Sequence, residues 1–352
     1  MENLKRLFMI KVGIVGATGY TGSELVRLLY NHPEIDIRII TSESRKGARF
    51  SDVHPHFQGL ADYELQPAHK ILEENLDAVF LALPHGVSMS FVEKYEGSDF
   101  LVIDLSGDFR LSAPGVYESW YAKRHTFPKG FEQAAYGLPE LHRDKIRKSR
   151  LVANPGCYPT SAILGLAPLV KANIIVPGQV VVDSKSGVTG AGVKATPTTH
   201  YSNVSDNFKA YGLKRHRHTI EIEEQLSGLS SNGAMQIQFT PHLLPVDRGI
   251  LSTIYTQPRE GVTENQLKDL YTSFYEGHPF VRLRKAPPAL KDVRGSNFCD
   301  LFVTYDDRTN RIITVSVIDN LVKGAAGQAM QNMNLMFGLE ETTGLTAAPL
   351  NP

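Results

Sequence analysis

The apolar positions of the chain follow two different regimes. From Met9 to Lys171, short apolar runs alternate with stretches of helical spacing. Met9–Ala17 (MIKVGIVGA), Ile35–Ile40, Asp77–Leu83 (DAVFLAL), Leu101–Leu105 (LVIDL) and Arg150–Ala153 read as strands. Their near-continuous apolar character predicts burial on both faces of a parallel sheet. Between them, Leu25, Leu28 and Leu29 mark one side of a helix, and a second helix follows from about Val87. Ile163, Leu166, Ala167 and Val170 give a third, over Thr160–Lys171. Strands alternating with helices predict right-handed βαβ units and a doubly wound α/β sheet of Rossmann type. Residues 111–149, with Trp120, Tyr121 and Tyr136, show no clear period and predict an irregular connecting lobe.

Beyond Lys171 the pattern changes. Gln179–Ser184, Ala234–Thr240, Ile250–Gln257, Phe298–Tyr305 and Arg311–Ile318 read as strands with few helices between them. Asp306–Asn310 makes a hairpin turn between the last two. The expectation is a C-terminal α+β domain on a mainly antiparallel sheet, spanning 157–320. The dinucleotide-binding domain would be 1–156, completed by 321–352. There a final helix carrying Ala329, Met333 and Met336 returns to it, and the tail beyond about Thr342 is expected to be loose.

Composition narrows the class. Lysine plus arginine equals aspartate plus glutamate at 37 each, so no net field points to nucleic acid or an anionic membrane. The two cysteines, Cys157 and Cys299, are too few for a disulfide framework and suit a reducing cytoplasm. Residues 1–8 lack the apolar run of a signal peptide, and no run of membrane-spanning length occurs. No spaced Cys/His cluster suggests a metal.

Three stretches carry candidate chemistry. The first strand runs into Gly16-Ala-Thr18-Gly19-Tyr20-Thr21-Gly22 and then a helix, the arrangement that holds a pyrophosphate on backbone N–H groups. The next strand ends in Thr41-Ser42-Glu43-Ser44-Arg45-Lys46, without the aspartate typical of an NAD ribose site; Arg45 and Lys46 can receive a 2′-phosphate, which favours NADP. The second stretch is Asn154-Pro-Gly-Cys157-Tyr-Pro-Thr160. It places Cys157 just ahead of a helix N-terminus, where partial positive charge favours a thiolate. A buried structural thiol is the alternative. The third is Arg215-His216-Arg217-His218-Thr219, where Thr219 can cap a following helix and a histidine can serve as acid/base near Cys157, a glutamate orienting its ring. Alone it reads more readily as a basic solvated turn than as a catalytic segment. His85, Ser106 and Arg110 fall at strand ends where ligands bind, and the loop Lys185–Gly192 with Ser186 and Gly187 suits backbone contact with an anion.

Assembled in order, these segments resemble the N-acetyl-gamma-glutamyl-phosphate reductases of arginine biosynthesis, in the semialdehyde dehydrogenase superfamily. The resemblance rests on VGIVGATGYTG, LPHG, LSGDFR, NPGCYPTS, SKSGVTGAG, KRHRHTIEIEEQL, FTPHLLPVDRG and DNLVKGAAGQAMQNMNLMFG. It implies that Cys157 attacks an acyl phosphate, that NADPH reduces the resulting thioester, and that a histidine serves as base, His218 before His216. It also implies that Asn154 helps stabilise the oxyanion and that Asn320 faces the nicotinamide. Arg110, Lys185, His200 and Arg217 are left as candidates for the substrate carboxylate and phosphate. Ile220 stands where the family commonly has proline, a first-turn convenience that leaves the chemistry intact. A homodimer or homotetramer is expected. The alternatives are a carrier-linked aminoadipyl phosphate reductase, an aspartate-semialdehyde dehydrogenase and, from another class, a non-catalytic dinucleotide sensor.

Overall fold

The computed structural model describes residues 9–352; the leading segment 1–8 lies outside the described residues. The chain divides into two units. One comprises residues up to Pro155 together with Ala325–Thr346, the other Gly156–Gly324 with Ala347–Pro352.

The first unit is built on seven parallel strands. They are β1 (Ile10–Val15), β2 (Ile35–Thr41), β3 (Leu65–Gln66), β4 (Ala78–Leu81), β5 (Leu101–Asp104), β6 (Ala134–Tyr136) and β7 (Leu151–Ala153), in the order β3-β2-β1-β4-β5-β7-β6. β1 pairs in parallel with β2 on one side and β4 on the other, so the strand order reverses at its carboxyl end. Such a switch point is where doubly wound sheets bind ligands. Helix α1 (Tyr20–Tyr30) buries Leu25, Leu28 and Leu29, as its spacing predicts.

The stretch 111–149 is more regular than expected. It contains α2 (Pro114–Tyr121), β6 and α3 (Pro139–Lys148), and β6 forms an edge of the sheet. β6 is too short to display a period, and α3 is rich in charge, so neither stands out in the pattern.

Helix α4 (Gly327–Met336) packs against α3 and α1. Four of its amides are fully buried, and each has a partner: Gln328 and Asn332 donate to the Gly137 carbonyl at 3.0 and 2.8 Å, Asn334 meets His32 at 3.0 Å, and Gln331 donates to Glu341 at 2.8 Å. Their N–H groups are thus paired, while the carboxamide oxygens of Gln328 and Asn332 are buried without a hydrogen-bond partner among the described residues. The segment after this helix is not loose as expected. Asn334 also donates to the carbonyls of Glu341 and Thr343, and Leu345 is buried.

The second unit carries a mixed sheet. Its strands are β8 (Ile175–Ser186), β9 (Lys209–Ala210), β10 (Gln238–Leu243), β11 (Ile250–Pro258), β12 (Val281–Leu283), β13 (Cys299–Asp306) and β14 (Arg311–Ile318), in the order β12-β13-β14-β11-β8-β10-β9. Four of its neighbouring pairs are antiparallel; β12 with β13 and β8 with β10 are parallel. Helix α5 (Cys157–Lys171) lies on one face against β11 and β14, with α6 (His218–Ser227) beside it. Val180 and Val182 in β8 and Ile250 and Ile254 in β11 are buried at alternate positions, the period-2 signature of a half-covered strand. By contrast, β14 buries Val315 and Val317 as well as Ile312 and Ile318 and is covered on both faces.

Candidate active site

The nucleophile candidate is placed by α5. This helix begins at Cys157 with Gly156 as its N-cap, three residues earlier than its apolar spacing suggests. Thr160 closes the first turn, its N–H and its hydroxyl reaching the Gly156 carbonyl at 2.9 and 3.0 Å. Pro159 falls within that turn, where a missing N–H costs nothing. Cys157 is therefore the first helical residue, in the strongest part of the helix field. It is partly exposed, whereas Cys299 is fully buried beside the Ser316 hydroxyl, and neither is in a disulfide. Gly324 backs onto the nucleophile: a Cβ there would stand 2.8 Å from the Cys157 Cβ.

Helix α6 brings a histidine to the same place. It begins at His218, so Thr219 sits inside the first turn and Arg217 occupies the N-cap position with no side-chain cap; Thr219 is not the cap expected of it. The His218 ring lies against the Gly156 Cα, close enough that a Cβ on Gly156 would meet Nε2 at 2.5 Å. One turn along α6, buried Glu221 accepts the Gly156 N–H at 2.8 Å. The peptide just before Cys157 is thus held by the helix that carries the histidine.

His216 has a different environment. Its ring meets those of Tyr158, Tyr211, Phe239 and His218 at centroid distances of 5.6, 5.6, 5.4 and 4.8 Å. Its Nδ1 accepts the backbone N–H of His218 at 3.2 Å, which puts the ring proton on Nε2. Burial, with the Arg217 cation as a second cause, lowers its pKa to about 4. A group so depressed is neutral near pH 7 and poorly matched to general acid catalysis there. Beside it, Tyr211 donates to the Tyr158 hydroxyl at 3.1 Å, and Tyr158 donates to the His242 carbonyl at 3.1 Å.

In the first unit the glycine-rich turn has the geometry of a nucleotide cradle. Gly16 has φ +88°, and a Cβ there would sit 2.4 Å from the Ala82 carbonyl oxygen. Only glycine permits that conformation and approach. Gly19 is the N-cap of α1, leaving the N–H groups of Tyr20, Thr21 and Gly22 in its first turn. At the end of β2, the Ser42 hydroxyl meets that of Thr18 at 3.1 Å. Glu43 accepts the Ala68 N–H at 2.9 Å, while Ser44, Arg45 and Lys46 are exposed. The donor set suits a dinucleotide carrying a 2′-phosphate.

Other candidates fall elsewhere. The Asn154 side chain accepts from Asn332 at 3.1 Å and donates to the Ala325 carbonyl at 3.2 Å, tying the end of β7 to the entry of α4. Arg110 is buried, its guanidinium donating to the Asn154 and Leu105 carbonyls, both at 2.7 Å. His85 accepts the Gly107 N–H on Nδ1 at 2.7 Å. Lys185 is paired with Asp183 at 3.0 Å, His200 is exposed before a short helical turn, and Arg217 is exposed. The loop after β8 is not the open, flexible anion cradle expected. The N–H groups of Gly187, Val188 and Thr189 go to the carbonyls of Gly249, Val246 and Asp247, and Ser186 bonds the Gly187 carbonyl. Asn320 spans the same region, accepting from Gly249 at 2.7 Å and donating to Thr189 at 3.0 Å. Sequence reasoning did not single out Tyr158, Tyr211 or the Glu221 contact with Gly156. Tyr158 had one local signal, its place directly after the cysteine.

Residues 11–149 match the semialdehyde dehydrogenase NAD binding domain, and residues 157–320 match the semialdehyde dehydrogenase dimerisation domain. Aspartate semialdehyde dehydrogenase II of Vibrio cholerae, solved as a complex with ASA, superposes with a TM-score of 0.72 over 94% of this chain and 98% of its own, at 17% identity. The aspartate semialdehyde dehydrogenase of Candida albicans, solved with NADP, gives 0.70 over 94% and 98%, also at 17%. At that identity the likeness shows the fold alone. N-acetyl-gamma-glutamyl-phosphate reductases are far more similar in sequence. That of Citrifermentans bemidjiense is 50% identical over 98% of this chain and all of its own length, and that of Bacillus subtilis 49% over 97% and all of its own. The chain belongs to the semialdehyde dehydrogenases and, among them, to the N-acetyl-gamma-glutamyl-phosphate reductases.

Proposed function

We infer that the protein reduces N-acetyl-gamma-glutamyl phosphate to N-acetylglutamate 5-semialdehyde with NADPH, in arginine biosynthesis, through a thioester on Cys157. The observation that carries the thioester is Cys157 at the first position of α5 with the His218 ring packed on the adjoining Gly156. His218 takes the thiol proton, and the Cys157 sulfur bonds to the acyl carbon while the carbon–oxygen bond to phosphate breaks. The helix N-terminus, with the Cys157 N–H, stabilises the oxyanion; the Asn154 amide has the structural duties described above and is a weaker candidate. NADPH, when bound, would supply the hydride that brings the acyl carbon to the aldehyde level. His218 then returns its proton to the alkoxide oxygen. As the thiohemiacetal collapses, the carbon–sulfur bond breaks, the hydroxyl proton passes back to neutral His218, and the Cys157 thiolate is restored as the aldehyde leaves.

Gly16, Thr18, Gly19, Tyr20, Thr21 and Gly22 would hold the pyrophosphate, and Ser42, Ser44, Arg45 and Lys46 the 2′-phosphate. His85, Ser186, Gly187 and Asn320 remain cofactor-side candidates. Arg110, Lys185, His200 and Arg217 remain candidates for the substrate's anions, with Arg217 favoured by its exposure next to His218. We place the protein in the cytoplasm, consistent with two cysteines outside any disulfide. No helix among the described residues is long and apolar enough to cross a membrane. A homodimer or homotetramer is supported by the sheet face opposite α5, where Val181 and Tyr255 are each 39% exposed.

The test is an oxidative assay with NADP⁺ and phosphate on three aldehydes. N-acetylglutamate 5-semialdehyde should be the preferred substrate over the aminoadipate and aspartate semialdehydes. Preference for either of the others, or no turnover of any, would refute the reading.

Cofactor choice is a separate expectation. One charge-assisted contact contributes about 1.5–3 kcal/mol, so NADPH should exceed NADH in kcat/KM by roughly tenfold to a hundredfold. Replacing Arg45 and Lys46 together by alanine should remove most of that preference and leave the NADH rate intact. Equal use of both cofactors by the wild type would sink it.

A further inference from the structure

The hydroxyls of Tyr211 and Tyr158 form a chain whose direction is set by its end. The last acceptor is the His242 carbonyl, which has no proton to give, so the Tyr158 proton points at it. Tyr158 then receives the single hydroxyl proton of Tyr211. Tyr211 has thereby used its only donor, and its oxygen offers lone pairs alone to anything else that approaches. Tyr158 directly follows Cys157 on α5, and its ring packs edge-to-face with those of His216 and His218 at centroid distances of 5.6 and 5.9 Å. Tyr211 itself meets His216 at 5.6 Å and is only partly buried, so its oxygen belongs to the cluster that surrounds the nucleophile. Consistent with this, the Cys157 charge is among the causes that raise both phenols, after burial, which is the largest; Tyr211 reaches about 12. Both stay protonated near neutral pH, so the chain keeps its direction.

The inferred substrate has few groups that can answer a bare acceptor. Near pH 7 its carboxylate and phosphate are anions and accept only. Its one donor is the N–H of the acetylated α-amino group, a short carbon chain from the carbon that Cys157 attacks. We propose that Tyr211 is a specificity-determining residue that accepts the amide N–H of the N-acylamino substrate. This rests on the function inferred above. The tyrosine pair would select substrates carrying a donor at that position, and α5 would couple that selection to the nucleophile through Tyr158.

The test uses a substrate pair in the oxidative assay: N-acetylglutamate 5-semialdehyde and its ester analogue, in which the amide N–H is replaced by oxygen. The wild type should prefer the amide by roughly tenfold in kcat/KM, the scale of one neutral hydrogen bond, with most of the difference in KM. Tyr211→Phe should lose a similar factor on the amide and little on the ester, so that the preference collapses. A wild type indifferent to the exchange overturns the proposal without recourse to any variant. So does a Tyr211→Phe enzyme that keeps the full preference. Failure of the wild type to oxidise the amide aldehyde at all would instead overturn the inferred function.

Discussion

Replacing Cys157 with serine should abolish turnover while NADPH binding survives. Loss of a covalent nucleophile costs on the order of a millionfold in kcat, because the hydroxyl lacks a thiolate's reactivity at neutral pH. Cofactor binding should persist because the Gly16–Gly22 turn belongs to the unit that does not contain the cysteine. Titration of NADPH fluorescence would measure that binding. The native enzyme offers a companion experiment. Iodoacetamide should modify Cys157, which is partly exposed at a helix N-terminus, well before Cys299, which is fully buried. A serine variant of near-normal rate, or equal labelling of the two thiols, would exclude the covalent route.

Replacing His218 with asparagine should lower kcat by roughly two to four orders of magnitude, the range for a lost acid/base. The acid limb of the pH–rate profile should change with it. His216→Asn should do much less. With its pKa lowered to about 4 by burial, His216 is already neutral above that pH, so its removal takes no titrating proton from the working range. Its visible task is to accept the His218 backbone N–H, and an asparagine can partly replace that contact. If His216→Asn proves the more damaging, the assignment of the two histidines reverses.

Much of this protein is legible without coordinates, because the features concerned are local. The buried parallel strands announce themselves as apolar runs, since a strand covered on both faces needs no polar alternation. The strand–turn–helix around Gly16 is a matter of adjacent residues, and so is the placing of Cys157 at a helix start. Where the local signal was thin, boundaries moved. Helix α5 starts at Cys157 because Thr160 returns to Gly156, a bond that apolar spacing does not register.

What the chain alone left open turns on partners far apart in sequence. Two histidines two residues apart are equivalent as a motif. Only the packing puts one ring on Gly156 and encloses the other among Tyr158, Tyr211 and Phe239. Glu221 holds the peptide before the nucleophile from 65 residues away. Asn154, named for the oxyanion, has its amide engaged with Ala325, 171 residues on, and Arg110 is turned to backbone carbonyls. The glycines after β8 suggest an open loop, yet the N–H groups of Gly187, Val188 and Thr189 meet the carbonyls of Gly249, Val246 and Asp247. Periodicity reports which face of an element meets the core. The destination of each donor and acceptor is a tertiary fact, because a buried polar group must find a partner wherever the fold brings one.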